Sequence, residues 1–188
     1  DYSENFACFG TENKAMIYDR SKELWYNYSC TRITAVKIDG LKAWFGTQNG
    51  ILLYNFYNNT WQNYTSVDGL ISNNVTSITS SDTILYIGTE RGISRYDKTY
   101  GIWASKSVAD GLIAEDVQAI SALGDKMLFG TDSGLSIYNK TAYIWKSYTA
   151  IDGLASNWIW DVVAINNSVY IGTDNGVSIL DDSRFTNL

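Results

Sequence analysis

"YIGTERGISRYD", residues 86–97, decides the fold. Two short β-branched and aromatic runs flank a turn containing Gly92, which is the signature of a tight β-hairpin. The same twelve positions return as "WFGTQNGILLYN" at 44–55, "LFGTDSGLSIYN" at 128–139 and "YIGTDNGVSILD" at 170–181. Gly-Thr pairs begin at Gly10, Gly46, Gly88, Gly130 and Gly172; the first interval is the shortest and the other three are equal. Three equal spacings with matching apolar positions make chance a poor account. A period near 40 means a solenoid, a propeller or an array.

Working outward, an aromatic strand opens at Trp25, Trp61, Trp103 or Trp145. "VDGLISNN" (67–74), "ADGLIAED" (109–116) or "IDGLASNW" (151–158) then leads into "VTSI", "VQAI" or "IWDV". Each unit reads as four strands: A ("VTSIT"), B ("ILYIGT"), C ("GISRYD") and D ("WQNYT"). No segment sustains a helical period. Gly50, Gly92, Gly134 and Gly176 stand where a hairpin turn commonly needs positive φ. Four short antiparallel strands in every repeat make a propeller blade. The expected fold is therefore all-β, a single β-propeller domain over 1–188 of about five four-stranded blades with incomplete terminal blades. The repeats lie at 1–30 (partial), 33–65, 75–107, 117–149 and 159–181 (partial).

These residues resemble the two-component-regulator propeller repeat. Its pattern runs through DGL, a small-polar pair, V-x-x-I, an apolar-I/F-G-T run, G-L and an aromatic-Asp. The resemblance covers nearly the whole chain, and it implies a fold more strongly than a function. In that family such blades often form periplasmic sensor domains for oligosaccharides.

The first repeat departs from the pattern. Lys14 replaces the turn glycine, the DGL segment is missing, and only Cys30, Thr31 and Arg32 link strand D to "ITAVKI". That link must cross three strand spacings, about 14 Å, while four Cα steps reach about 13–14 Å. Distortion of the first blade is expected. Cys8 and Cys30 lie about 10 Å apart across strand C, beyond the roughly 7 Å limit for a disulfide, so no bond is expected. The ends read as strands B-C-D and A-B-C, giving 18 strands where a five-bladed ring needs 20. The chain closes alone, belongs to something larger, or borrows strands from a neighbouring subunit.

Composition narrows the function. Hydrophobic residues make up 45% of 188, so the chain is not disordered by composition. Its apolar runs are too short to span a membrane, so no membrane insertion is expected. Asp1 reads as a processed or excised start, with no leader ahead of it. Net charge is −6 with no basic cluster, which disfavours nucleic acid and anionic membrane surfaces. Histidine is absent, excluding Ser-His-Asp and Cys-His catalysis and the usual His-containing zinc sites. Two cysteines without CxxC spacing say little about metal. No cofactor, no metal and no enzymatic activity are expected. Asp68, Asp110 and Asp152 in the DGL turns read as Asx-type turn residues rather than calcium ligands.

One blade breaks its own repeat. "NWIWD" (157–161) carries Trp158 and Trp160 where the other copies have Asn74 or Asp116, and Thr76 or Gln118. Strand A lines the central channel, where small residues are expected. Two readings compete: a stacking platform for a sugar ring or a partner side chain, or filling for an incomplete ring. The D–A and B–C loops share one face. The candidate ligand-binding residues there are Asn157, Trp158, Trp160, Asp161, Glu115, Asp116 and Arg91, with Glu90, Asp132, Asp174 and Asn175 nearby.

Asn-x-Ser/Thr sequons stand at Asn27, Asn58, Asn63, Asn74, Asn139 and Asn166, and only Asn74 lies on that face. The leading expectation is a non-catalytic recognition module, extracellular, cell-surface or periplasmic, binding an oligosaccharide or protein ligand. A structural subunit of a cell-surface assembly, self-associating by strand sharing between terminal blades, is the alternative. A carboxylate-dependent lyase or hydrolase is third, with no motif behind it.

Overall fold

A side chain closes each Gly-Thr hairpin. In the computed structural model, which describes residues 1–181 and 184–188, Thr89 Oγ1 donates to the Gly92 carbonyl at 2.9 Å and accepts the Arg91 N–H at 3.1 Å. Thr47, Thr131 and Thr173 repeat both bonds. Gly92 sits at φ 115°, a left-handed conformation that a side chain would strain. The G-T-x-x-G spacing is thus a turn whose backbone groups are satisfied locally.

Five antiparallel sheets follow in chain order. Blade 1 holds β1 (Phe6–Gly10), β2 (Lys14–Asp19) and β3 (Leu24–Ser29). Blade 2 holds β4 (Ile33–Asp39), β5 (Lys42–Thr47), β6 (Gly50–Asn55) and β7 (Thr60–Tyr64). Blade 3 holds β8 (Val75–Ser81), β9 (Ile84–Thr89), β10 (Gly92–Asp97) and β11 (Ile102–Lys106). Blade 4 holds β12 (Val117–Leu123), β13 (Lys126–Thr131), β14 (Gly134–Asn139) and β15 (Ile144–Tyr148). Blade 5 holds β16 (Ile159–Ile165), β17 (Ser168–Thr173), β18 (Gly176–Asp181) and β19 (Arg184–Asn187). The architecture is an all-β propeller whose ring is open: four apolar cores join successive blades, and none among the described residues joins blade 5 to blade 1.

The ends differ in detail from the B-C-D and A-B-C reading. Arg184–Asn187 pairs with β18 and completes blade 5, a strand the sequence pattern did not mark because Phe185 replaces the usual tryptophan. At the other end, Tyr2 pairs with Ala7, so residues 1–3 lie along β1 at the far end of the vacant strand-A position. The Asp1 carboxylate accepts the Ile38 N–H at 2.8 Å, as Ser121 Oγ accepts the Ala164 N–H between blades 4 and 5. Both cysteines are free, and burial pushes the Cys8 thiol up to about 12.

Two repeated devices hold successive blades together, the first at every boundary but that of blades 1 and 2. The first is the DGL loop. Asp152 Oδ2 accepts the Thr149 N–H at 2.8 Å, Gly153 lies against Phe185, and Leu154 is buried in the core between blades 4 and 5. The following Ala155 N–H then donates to Ser178 Oγ of blade 5 at 2.8 Å. Ile71 to Ser94 and Ile113 to Ser136 repeat that bond, and all three serines are buried. Blade 2 carries Leu52 there, consistent with the missing DGL loop before it.

The second device is the glycine of each Gly-Thr pair. A Cβ added at Gly46 would come 2.6 Å from Val75 of the next blade, and one at Gly130 would come 2.5 Å from Ile159. Only the missing side chain lets strand A of the next blade approach so closely. A β-bulge at the start of each strand A turns Thr34 and Thr76 so that their hydroxyls donate to the carbonyls of Val75 and Val117.

Asp19 ends β2 and is buried, with Lys22 Nζ at 2.8 Å and Ser21 Oγ at 2.7 Å. Hydrogen bonds from Lys22 and then Ser21, with a smaller part from the Lys22 charge, hold its carboxyl down to about 2. Because the folded value is depressed, its stabilisation is full above the ordinary carboxylate range near 4 and fades as pH falls towards 2. The urea midpoint of Asp19→Asn should therefore fall less between pH 4 and pH 2 than that of the native chain. Parallel slopes would remove Asp19 from the acid response.

Candidate functional site

The D–A and B–C loops meet on one face, as the topology requires. Bonds within the DGL loop and across to the B–C turn position the tryptophan-bearing segment. Asn157 Oδ1 accepts the Ala150 N–H at 2.7 Å, as Asn73 Oδ1 accepts the Ser66 N–H, so Asn157 is occupied in shaping its loop. The Asp174 N–H donates to the Trp158 carbonyl, and Asn175 Nδ2 donates to the Ala155 carbonyl, tying this loop to the neighbouring B–C turn.

From that support Trp158 and Trp160 project together. Their ring centroids lie 5.5 Å apart at an interplanar angle of 49°, and they are 37% and 58% exposed. Tilted rings at this spacing offer an apolar corner with two indole N–H groups, suited to a flat ligand face. Trp160 occupies the bulge position where Thr34 and Thr76 bind the following blade, and among the described residues no blade packs against it. Asp161 is exposed beside it, with Oδ1 accepting the Val162 N–H.

The remaining candidates gather elsewhere. Asp116 faces the charges of Asp132 and Glu90, and its carboxyl is raised, chiefly by partial burial and then by those two anions. Glu90 is held low by hydrogen bonds from Asn74 Nδ2 at 3.0 Å and Ser72 Oγ at 3.1 Å. Glu115 and Arg91 make no side-chain hydrogen bond or ion pair among the described residues. The acidic group between blades 3 and 4 was only partly foreseen: Glu90 and Asp132 belong with Asp116. Spacing within a single repeat could not show it, because the three side chains come from different loops. No cluster of three His, Cys, Asp or Glu side chains able to hold a metal ion occurs among the described residues. No helix is long and apolar enough to cross a membrane.

The opposite loop face is stitched by charge. Lys98 Nζ reaches Asp39 at 2.6 Å and Lys140 Nζ reaches Asp82 at 2.9 Å, each across a blade boundary. At the blade 1–2 boundary Lys37 Nζ reaches Asp1 at 3.2 Å, and Phe56, in the place of Lys98 and Lys140, stacks on Phe6 with centroids 3.8 Å apart. A cleft of about 480 Å³ opens between blades 4 and 5 around Leu123, Asp125, Lys126, Ile137 and Asn166. None of the seven candidate residues lines it.

No family model matches the chain, and no curated protein matches it. Solved structures do. The chain is similar to the extracellular domain of the hybrid two-component system BT3049 from B. thetaiotaomicron. The TM-score is 0.84 at 23% identity, over 98% of this chain and 28% of that one. The computationally designed Ika8 protein superposes with a TM-score of 0.74 at 15% identity, over 100% of this chain and 59% of that one. The WD40 repeats of RRP9 give 0.69 at 11% identity, over 98% and 62%. This chain thus spans less than two thirds of each of these propeller-type structures, and the likeness is one of fold.

Proposed function

We propose that this chain is a non-catalytic recognition module working outside the cell or in the periplasm, binding an oligosaccharide or a protein ligand on the D–A/B–C loop face. The exposed Trp158–Trp160 pair carries this reading, because the other blades place Thr or Gln at the position of Trp160 and the fold does not demand an aromatic there. The likeness to BT3049, an extracellular domain of a two-component system, supports it, as does the resemblance to sensor repeats. Strand sharing at blade 5 is not favoured, because β19 supplies that blade with its own fourth strand; blade 1 alone keeps a three-stranded sheet.

Binding is tested on a glycan array followed by a fluorescence titration of the best hit. Trp158→Ala with Trp160→Ala should weaken that ligand about 5- to 150-fold, the expected loss of two stacking contacts of about 0.5–1.5 kcal/mol each. Both side chains are part-exposed, so the thermal midpoint should move little. Undiminished affinity would remove the pair from the site.

Location has a separate test. Asn27 and Asn63 are exposed on β3 and β7, their amides making no side-chain hydrogen bond among the described residues, whereas Asn139 donates to Asp125 at 2.9 Å and caps Thr141 and Ala142. Glycans are expected at Asn27 and Asn63 and not at Asn139 in an N-glycosylating source. Peptide mapping of the natural protein checks it, and occupancy confined to Asn139 would contradict it.

A further inference from the structure

Four of the five Gly-Thr glycines are filled sockets. Gly10 faces Ile33, Gly46 faces Val75, Gly88 faces Val117 and Gly130 faces Ile159, each a β-branched knob at the start of the next blade's strand A. Gly172 is the fifth, and among the described residues a Cβ added there would meet nothing nearer than backbone atoms of Asp161, at 3.9 and 4.0 Å. Its socket is empty.

The surroundings of Gly172 repeat the difference. Leu128 and Leu135 of blade 4 are fully buried against blade 5, while their counterparts Tyr170 and Val177 are 40% and 37% exposed. Ile165 and Leu188, counterparts of Leu123 and Tyr148, are exposed as well. These residues form an apolar blade face with the layout of the four faces that the chain buries internally.

We propose that this face of blade 5 is a docking surface for a further propeller blade of the same repeat type, from outside residues 1–188, whose strand A inserts a Val or Ile into the Gly172 socket. The chemistry singles out that occupant. A second copy of residues 1–188 brings no free knob: Ile33, Val75, Val117 and Ile159 are all engaged, and residues 1–3 pair only with the far end of β1. Five blades over 59% to 62% of comparable propeller chains also leave room for about three more. In the docked state Trp160 borders the incoming strand, in the place of Thr34 and Thr76. The ligand reading does not use Gly172, Tyr170 or Val177; the two readings meet at Trp160.

The test installs the photo-crosslinker p-benzoylphenylalanine in place of Tyr170 in protein expressed in its natural source, and sequences the joined peptide by mass spectrometry. The expected peptide lies outside residues 1–188 and carries a β-branched residue, three positions ahead of a second apolar one, upstream of an apolar-Gly-Thr strand. Joining to residues 6–25 of a second copy, to a peptide without that pattern, to a glycan, or to nothing would overturn the proposal. Gly172→Ile supplies the second readout. It should leave the thermal midpoint of the isolated chain within about 1 °C, since the socket is empty, and abolish the crosslink. An undiminished crosslink would overturn the socket assignment.

Discussion

Gly130→Val lowers the stability of this chain by about 3 kcal/mol or more, read as a fall in the urea midpoint. The new Cβ would lie 2.5 Å from Ile159 Cγ2 and 2.9 Å from Val162 Cγ2, and valine adds two further methyls to a filled space. Inserting that volume into a close-packed core commonly costs about 1–3 kcal/mol and sometimes more, and neither neighbour can swing away because both sit in the paired strand β16. For a domain of this size the thermal midpoint should fall by about 6–12 °C. Gly172→Val, at the same position of the repeat, should stay within about 0.5 kcal/mol of the parent chain. Equal losses at the two positions would mean that local strand strain, and not the neighbouring blade, sets the requirement for glycine.

Trp44→Ala is the second large effect. Trp44 is fully buried between blades 2 and 3, edge-on to Tyr96 at 5.7 Å and beside Tyr64 at 6.1 Å. Removing a buried aromatic of this size costs about 3–5 kcal/mol through lost transfer free energy and the cavity left behind. The Trp44 indole N–H is buried without a hydrogen-bond partner among the described residues, and an unsatisfied buried donor costs about 1–3 kcal/mol. Trp44→Phe therefore removes a liability along with some volume, and should lose clearly less than Trp44→Ala. Denaturation curves of the two variants decide the matter: equal losses would show that the orphaned N–H costs nothing here.

Much of this fold is legible in the linear chain because its determinants are local. The Gly-Thr turn depends on a threonine hydroxyl and a glycine three residues on, and the DGL loop on an aspartate that caps its own backbone. Both patterns recur from blade to blade and can be counted. β19 escaped notice because Phe185 stands where Trp103 and Trp145 stand in blades 3 and 4, packing on Gly153 as they pack on Gly69 and Gly111. Its role depends on a contact with the preceding DGL loop, on the far side of three strands, and not on an identity. The candidate site is legible in part. Trp158 and Trp160 stand out as breaks in the repeat, whereas Asn157 looked available and is committed to the Ala150 N–H.

Residue order thus determined the blade, its turns and the number of repeats, since each follows from interactions within a few residues or across one hairpin. Tertiary structure alone decided which blade faces are covered. Leu128 and Tyr170 occupy the same place in strand B, and Gly130 and Gly172 the same place in the turn motif. One of each pair is buried and the other open, because the burial of a blade face depends on whether another blade lies against it, and no property of that blade's own residues records this.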